Sequence, residues 1–210
     1  MEAIELYGME FSTFVWTTRI AFVEKGAPYV LKPARPRHGE PAEIHPLGRI
    51  PVMRHGAFVL FESKAICAYI DRLFDGPPLI PPDAMAAALA EQWISFIIST
   101  TDTACVRHYL LPYFFPAAPG APDRARIEAN VPAMRRQLDI FENRLERSAY
   151  LAGDSFTLAD AYLAPILHYL QKTPESAEII ARSHGLRAFT ERMSERPSVR
   201  ATQPPPMSPG

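Results

Sequence analysis

The stretch GRIPVMRHGAFVLFESKAICAYID, residues 48–71, decides the fold. Its first half reads as two short strands, residues 52–54 and 58–61, folded back on each other about a turn at His55-Gly56 as an antiparallel hairpin. Its second half sets Ile66, Ile70 and Leu73 on one stripe of a helix that starts near Ser63. Pro51 stands at the mouth of a strand, where its missing N–H costs nothing, so local chemistry alone favours an ordinary trans proline. Only about 5 to 6% of X-Pro bonds in folded proteins are cis. A cis bond would turn the Ile50 backbone outward and leave its N–H and C=O free to pair with an extended ligand.

Outward from that stretch, residues 3–7 form a strand candidate, and residues 13–25 carry Trp16, Ile20 and Val23 at the spacing of one helical face. Gly26 ends that helix and residues 29–32 form a second strand, giving a unit suited to a parallel pair. The proline-rich segment 33–46 holds at most a short helix. The predicted order is therefore β, α, β, short α, β, β, α. GPPLIPP, residues 76–82, cannot continue a helix and makes a stiff connector.

Everything beyond the connector reads as helix. Residues 83–115 predict one long helix, free to bend, and PAAPGAP at 116–122 breaks it. Residues 122–150 predict a second, with Ile127, Val131, Met134, Leu138, Phe141 and Leu145 at three- and four-residue spacings. In AGDSFTLAD, residues 152–160, Thr157 begins another helix with Asp160 placed to reach back to it. Two shorter helices, 174–183 and 186–196, precede a QPPPMSPG tail expected to be disordered. The expected domains are 1–76, a linker at 77–82, an all-helical part at 83–200 and a tail at 201–210.

Composition narrows the function. The 48% hydrophobic content suits a globular chain with a sizeable core, and 22 basic against 23 acidic residues, with no long single-sign run, argue against a nucleic-acid partner. No apolar run is long enough for a membrane span, and MEAIELYG lacks the parts of a signal peptide, so a soluble, cytoplasmic protein is expected. The two cysteines, Cys67 and Cys105, lie in apolar helical sequence and fit a reducing compartment. The six histidines show neither HxxxH nor Cys/His ligand spacing, so no metal is expected, and no glycine-rich phosphate loop is present.

Glu62 and Ser63 give the first chemical lead. A serine at a helix start is most often a cap, yet a helix N-terminus with a hydroxyl also receives anions. Placing an acid beside it allows recognition of a group that carries both a carboxylate and an ammonium, as an α-amino acid end does.

The strand and helix order, the GRIPV proline, FESKAICAYI and the helical half with AGDSFTLADAYL together resemble the cytosolic glutathione transferases over residues 1 to 200. The resemblance implies a thioredoxin-like βαβαββα domain with cis-Pro51, followed by an all-helical C-terminal domain. It implies glutathione as co-substrate, with the γ-glutamyl amine and carboxylate at Glu62 and Ser63 and the cysteinyl backbone paired to Ile50. A homodimer is expected of the family.

In LYGMEFSTFVWTTRIAF, Ser12 falls just before the first helix, where its hydroxyl and the helix dipole could stabilise a thiolate. By spacing to EKG it is similar to the active-site serine of the serine-type, phi-like branch, here in a bacterial-type member. Tyr7 is the alternative sulfur donor, and no cysteine stands at this position, which disfavours a disulfide-reducing role. The resemblance offers Arg37, His38 and Arg49 for the glycine carboxylate, and Phe11, Phe96, Thr100, Arg107 and His108 for a hydrophobic co-substrate. The activity implied is detoxifying addition of the thiol to a hydrophobic electrophile, or peroxide reduction. Ether cleavage, dehalogenation or a non-catalytic binding module on the same fold are the alternatives.

Overall fold

A computed structural model describes residues 2–116 and 122–206. The chain divides into two compact units, Met1–Leu79 with Arg196–Pro205, and Ile80–Glu195 with Pro206–Gly210.

In the first unit, β1 (Ile4–Gly8), β2 (Tyr29–Pro33), β3 (Val52–His55) and β4 (Phe58–Phe61) form one sheet of order β2-β1-β3-β4. The β1–β2 pair is parallel and the other two are antiparallel. Alternation sorts the side chains: Ile4, Leu6 and Met53 face a core with Val15, Phe22, Ile66 and Ile70, while Glu5, Tyr7 and Arg54 face the other side. The core lies beneath α1 (Thr13–Glu24) and α3 (Ser63–Leu73), and the short α2 (Glu40–Ile44) packs on the opposite face, where Glu40 takes Arg54 at 2.7 Å. The hairpin turns on Gly56-Ala57, one residue later than expected, because Gly56 supplies the positive φ of 58° and His55 still pairs with Phe58.

Both ends of α1 are fixed. At its end Gly26 has φ 59° and donates its N–H to the Val23 carbonyl while the Ala27 N–H reaches Phe22, the paired bonds of a Schellman stop. The C-terminal α10 (Pro197–Thr202) returns onto α1. Trp16 donates its indole N–H to Thr202 Oγ1 at 2.9 Å, and Arg196 forks onto Glu24 with two bonds of 2.7 Å. The first unit thus takes in residues 196–205, whereas the expected ranges gave 83–200 to the helical part and 201–210 to a tail, with QPPPMSPG, residues 203–210, expected to be disordered. Ala201 and Thr202 are helical, and Thr202 is the partner of the buried Trp16 indole; the tail's residues 207–210 lie outside the described residues.

The second unit contains α4 (Ala84–Phe96), a wider-wound segment Ile97–Leu110, α5 (Leu111–Phe114), α6 (Arg124–Leu145), α7 (Leu158–Leu170), α8 (Pro174–Arg182) and α9 (His184–Glu195). The expected single helix over 83–115 is thus one helical run with a changed winding in its middle, where the Leu111 N–H reaches back five residues to Val106. Two buried polar groups occupy that segment: Thr101 donates to Gln137 at 2.9 Å, and Asp102 takes Arg107 at 2.7 Å. The expected break at 116–122 lies mostly outside the described residues. Helix α7 is buried nearly all round, and Asp160 ties down its start. One Asp160 oxygen accepts the Thr157 N–H and the other the Leu151 N–H, both at 2.8 Å.

Two stability predictions follow from these anchors. Arg196→Ala removes both guanidinium bonds from the mostly buried Glu24 carboxylate, leaving it the Ser198 hydroxyl, and should cost about 2–3 kcal/mol by urea unfolding, whereas Arg182→Ala, whose exposed pair lies on α8, should cost under about 0.5 kcal/mol. Burial pushes the Asp160 carboxyl up to about 6, above its unfolded range, so its contribution is full below about pH 4 and is lost as pH rises through 6. The stability advantage of the native chain over Asp160→Asn should therefore shrink by about 2–3 kcal/mol between pH 4 and 7.

Candidate functional site

Sheet register brings the sequence-predicted residues of the first unit to one edge. Tyr7 pairs with Val52 and Val52 with Phe61, so Gly8, Pro51 and Glu62 lie in a row just past that line. Strands β1 and β4 run the same way, and each hands over to a helix at this edge. The N-termini of α1 and α3 therefore open beside the turn at Pro51.

At the start of α1, Ser12 has extended backbone and caps the helix, its Oγ accepting the Val15 N–H at a long 3.5 Å. The residue is half-exposed and its N–H is held by the Met9 carbonyl at 3.0 Å. Gly8 is required for this approach, because a Cβ there would overlap the Val15 side chain. The hydroxyl is thus placed, lightly engaged, at the positive end of a twelve-residue helix.

Tyr7 is differently committed. Its hydroxyl donates to Glu5 Oε2 at 2.6 Å on the sheet face that carries α2. Burial first, and the Glu5 carboxylate second, push the phenol up to about 12. Its proton serves a carboxylate within the sheet.

The Ile50-Pro51 bond is cis, as the family resemblance implied and local chemistry alone did not. Among the described residues, no hydrogen bond takes up the Ile50 N–H or C=O. The preceding Gly48 has φ 63°, and its carbonyl accepts the Arg37 N–H at 2.7 Å; a Cβ on Gly48 would crowd the Arg37 backbone. Arg37 itself has φ 65°. Backbone contact thus joins the loop of Arg37 and His38 to that of Arg49. All three side chains are exposed, and none has a side-chain partner among the described residues.

At the start of α3, Ser63 is buried at the first helical position and Glu62 holds the N-cap with φ 67° and ψ 116°. That conformation is strained for a side chain other than glycine. The Glu62 carboxylate is exposed and lies 3.4 Å from Nε2 of His45, a buried residue at the end of α2. His45 is a member of this corner that sequence reasoning missed, since a lone histidine between prolines carries no pattern.

The residues expected for a second substrate divide between the units. Phe11 is half-buried in the first. In the second, Phe96 packs edge-on to Trp93 and Phe141 at 6.0 Å each, while Thr100 and His108 are exposed. Arg107 is exposed and pairs with the buried Asp102 at 2.7 Å. The thiols of Cys67 and Cys105 are pushed up to about 12 by burial and stay protonated. Among the described residues, no three His, Cys, Asp or Glu side chains are grouped to hold a metal, and no helix is long and apolar enough to cross a membrane.

Comparison with known proteins supplies the context. Residues 6–78 match the profile of the glutathione S-transferase N-terminal domain, and residues 89–197 that of the C-terminal domain. Glutathione S-transferase 3 of Zea mays is 33% identical over 99% of both chains. Glutathione transferase F7 from Populus trichocarpa superposes with a TM-score of 0.85 at 29% identity, over 95% of this chain and 97% of that one. Glutathione S-transferase I from maize, solved in complex with an atrazine glutathione conjugate, gives 0.83 at 27% identity, over 95% and 96%.

The strain at Glu62 makes a testable statement about what this corner is for. Glu62→Gly removes a conformational cost of about 1–3 kcal/mol and loses the exposed carboxylate's contact with His45. It should therefore raise the urea midpoint while weakening ligand binding; a lowered midpoint would show that the side chain is kept for stability.

Proposed function

The chain belongs to the glutathione S-transferase family, and on that premise we propose that it binds glutathione along the Gly8, Pro51 and Glu62 edge and ionises the thiol at Ser12. The carrying observation is the Ser12 hydroxyl, held at the N-terminus of α1 with one long hydrogen bond of its own. A free thiol with a pKa of about 8.5 is only a few per cent ionised at neutrality. Lowering that value by one unit takes about 1.36 kcal/mol, and one hydrogen bond to a charged acceptor supplies roughly 1.5 to 3 kcal/mol. The thiol proton leaves to solvent, and the thiolate forms a sulfur–carbon bond with the electrophile as its leaving group departs or its double bond accepts the pair.

The remaining contacts distribute along the tripeptide. Glu62 takes the γ-glutamyl ammonium, while Ser63 and the α3 N-terminus take the α-carboxylate. The unengaged N–H and C=O of Ile50 pair with the cysteinyl backbone. Arg37, His38 and Arg49 offer positive charge to the glycine carboxylate. The atrazine conjugate bound by the maize relative supports a hydrophobic electrophile as the second substrate.

The working form is a homodimer in the cytoplasm. Phe58, Val59 and Phe61 are exposed along β4, the outer strand of the sheet, and an apolar edge of that kind is ordinarily covered. Two buried, unpaired cysteines suit a reducing compartment. Sedimentation should give twice the chain mass.

Thiolate absorbance against pH tests the central step. Ser12→Ala should raise the bound-thiol pKa by about one unit or more, and Tyr7→Phe should leave it unchanged. The reverse result would transfer the role to Tyr7. Binding with an unshifted thiol in the native protein would make the chain a non-catalytic module.

A further inference from the structure

Resting on the assignment of Glu62 as the ammonium ligand, we infer that His45 is a positioning residue whose neutral imidazole aims the Glu62 carboxylate at the bound ligand. The ring is 5% exposed, sits at the end of α2 and packs on Phe61 with centroids 4.9 Å apart. Its Nδ1 accepts the Leu47 N–H at 2.9 Å. A ring nitrogen that accepts carries no hydrogen, so the hydrogen of the neutral ring resides on Nε2. Nε2 is the atom 3.4 Å from Glu62 Oε1.

The chemistry at that contact matters for an ammonium site. A lysine or arginine against Glu62 would neutralise it and compete with the ligand's amine. A neutral N–H steers the carboxylate and leaves its charge for the ligand. Without that contact, an exposed glutamate would lose side-chain freedom on binding, at a cost in affinity. The same residue also joins the corner's parts, because its carbonyl accepts the Gly48 N–H at 2.8 Å, two residues before Ile50.

Two amides separate aiming from loop anchoring, since glutamine reproduces the position of Nε2 and asparagine that of Nδ1. Calorimetry would measure glutathione and its des-amino analogue, glutaryl-cysteinyl-glycine, against native protein, His45→Gln, His45→Asn, Glu62→Gln and the double variant His45→Asn/Glu62→Gln. His45→Gln should bind glutathione within about twofold of native, and His45→Asn about five- to tenfold more weakly. Neither should change binding of the des-amino analogue, and His45→Asn should add nothing in the Glu62→Gln background. Native-like binding by His45→Asn, a loss shared equally by both ligands, or a loss that persists beside Glu62→Gln would each overturn the inference. Should His45→Asn fail to fold, His45→Phe, which keeps the ring against Phe61, must show the same selective loss. Glu62→Gln binding glutathione as tightly as native would refute the ammonium assignment, whatever the His45 variants do.

Discussion

The buried ammonium of Lys25 is the constraint on which the site's frame depends. It lies 3.1 Å from Asp71 and donates to the carbonyls of Gly76 and Pro77 at 3.2 Å each. Burying a charge costs several kcal/mol unless its partners are complete, and three acceptors surround this one. Lys25 is the C-cap of α1 and Asp71 lies near the end of α3, so one cation holds the trailing ends of both helices. Asp71 also accepts the Leu79 N–H at 2.9 Å, which ties down the chain as it leaves the first unit. Fixing the trailing ends fixes the leading ones, and those carry Ser12 and Ser63.

At the leading edge, the electrostatics distinguish two hydroxyls that the sequence leaves as rivals. Tyr7 is half-buried among charged groups and already donates to a carboxylate, so its proton stabilises an anion of the protein's own. Ser12 stands outside that network, beside first-turn amides oriented by the helix. A thiolate there gains from a hydroxyl and a dipole together, and neither requires a buried charge. A cation in the same place would bind a thiolate more strongly, but it would need a partner of its own before the ligand arrived.

Periodicity made the framework legible. Alternation in β1 and the pair Ile66 and Ile70 of α3 come from burial on one face, which a sequence displays directly, whereas Leu73 of the expected stripe is exposed. Ser12, Pro51, Glu62 and Ser63 stand out as candidates because each lies at a junction between elements, where residue type is chemically restricted. Less visible was whatever depends on contact distant in sequence. Thr202 is held by Trp16, 186 residues away, so the last two residues of the final helix read as tail. The wide winding of Ile97–Leu110 accompanies buried polar side chains that no spacing announces. Arg107 pairs with the buried Asp102, a contact that no spacing announces. His45 had no pattern at all, because what marks it is contact with Leu47 on one nitrogen and Glu62 on the other.

The edge that joins β1, β3 and β4 to their neighbours is built from irregular backbone carried by regular elements. Arg37 and Glu62 both occupy positive φ without being glycine, and Gly48 lies between them in sequence with a positive φ of its own. Such conformations persist when the surroundings over-determine them. Here the bonds of Gly48 to Arg37 and to His45 fix one side, and the start of α3 fixes the other. The reward is directional: carboxylate, helix N-terminus and open backbone groups face outward from a rigid sheet edge, where a small extended peptide can meet them without the protein reorganising. Preorganisation of that kind turns a modest set of individually weak contacts into usable affinity.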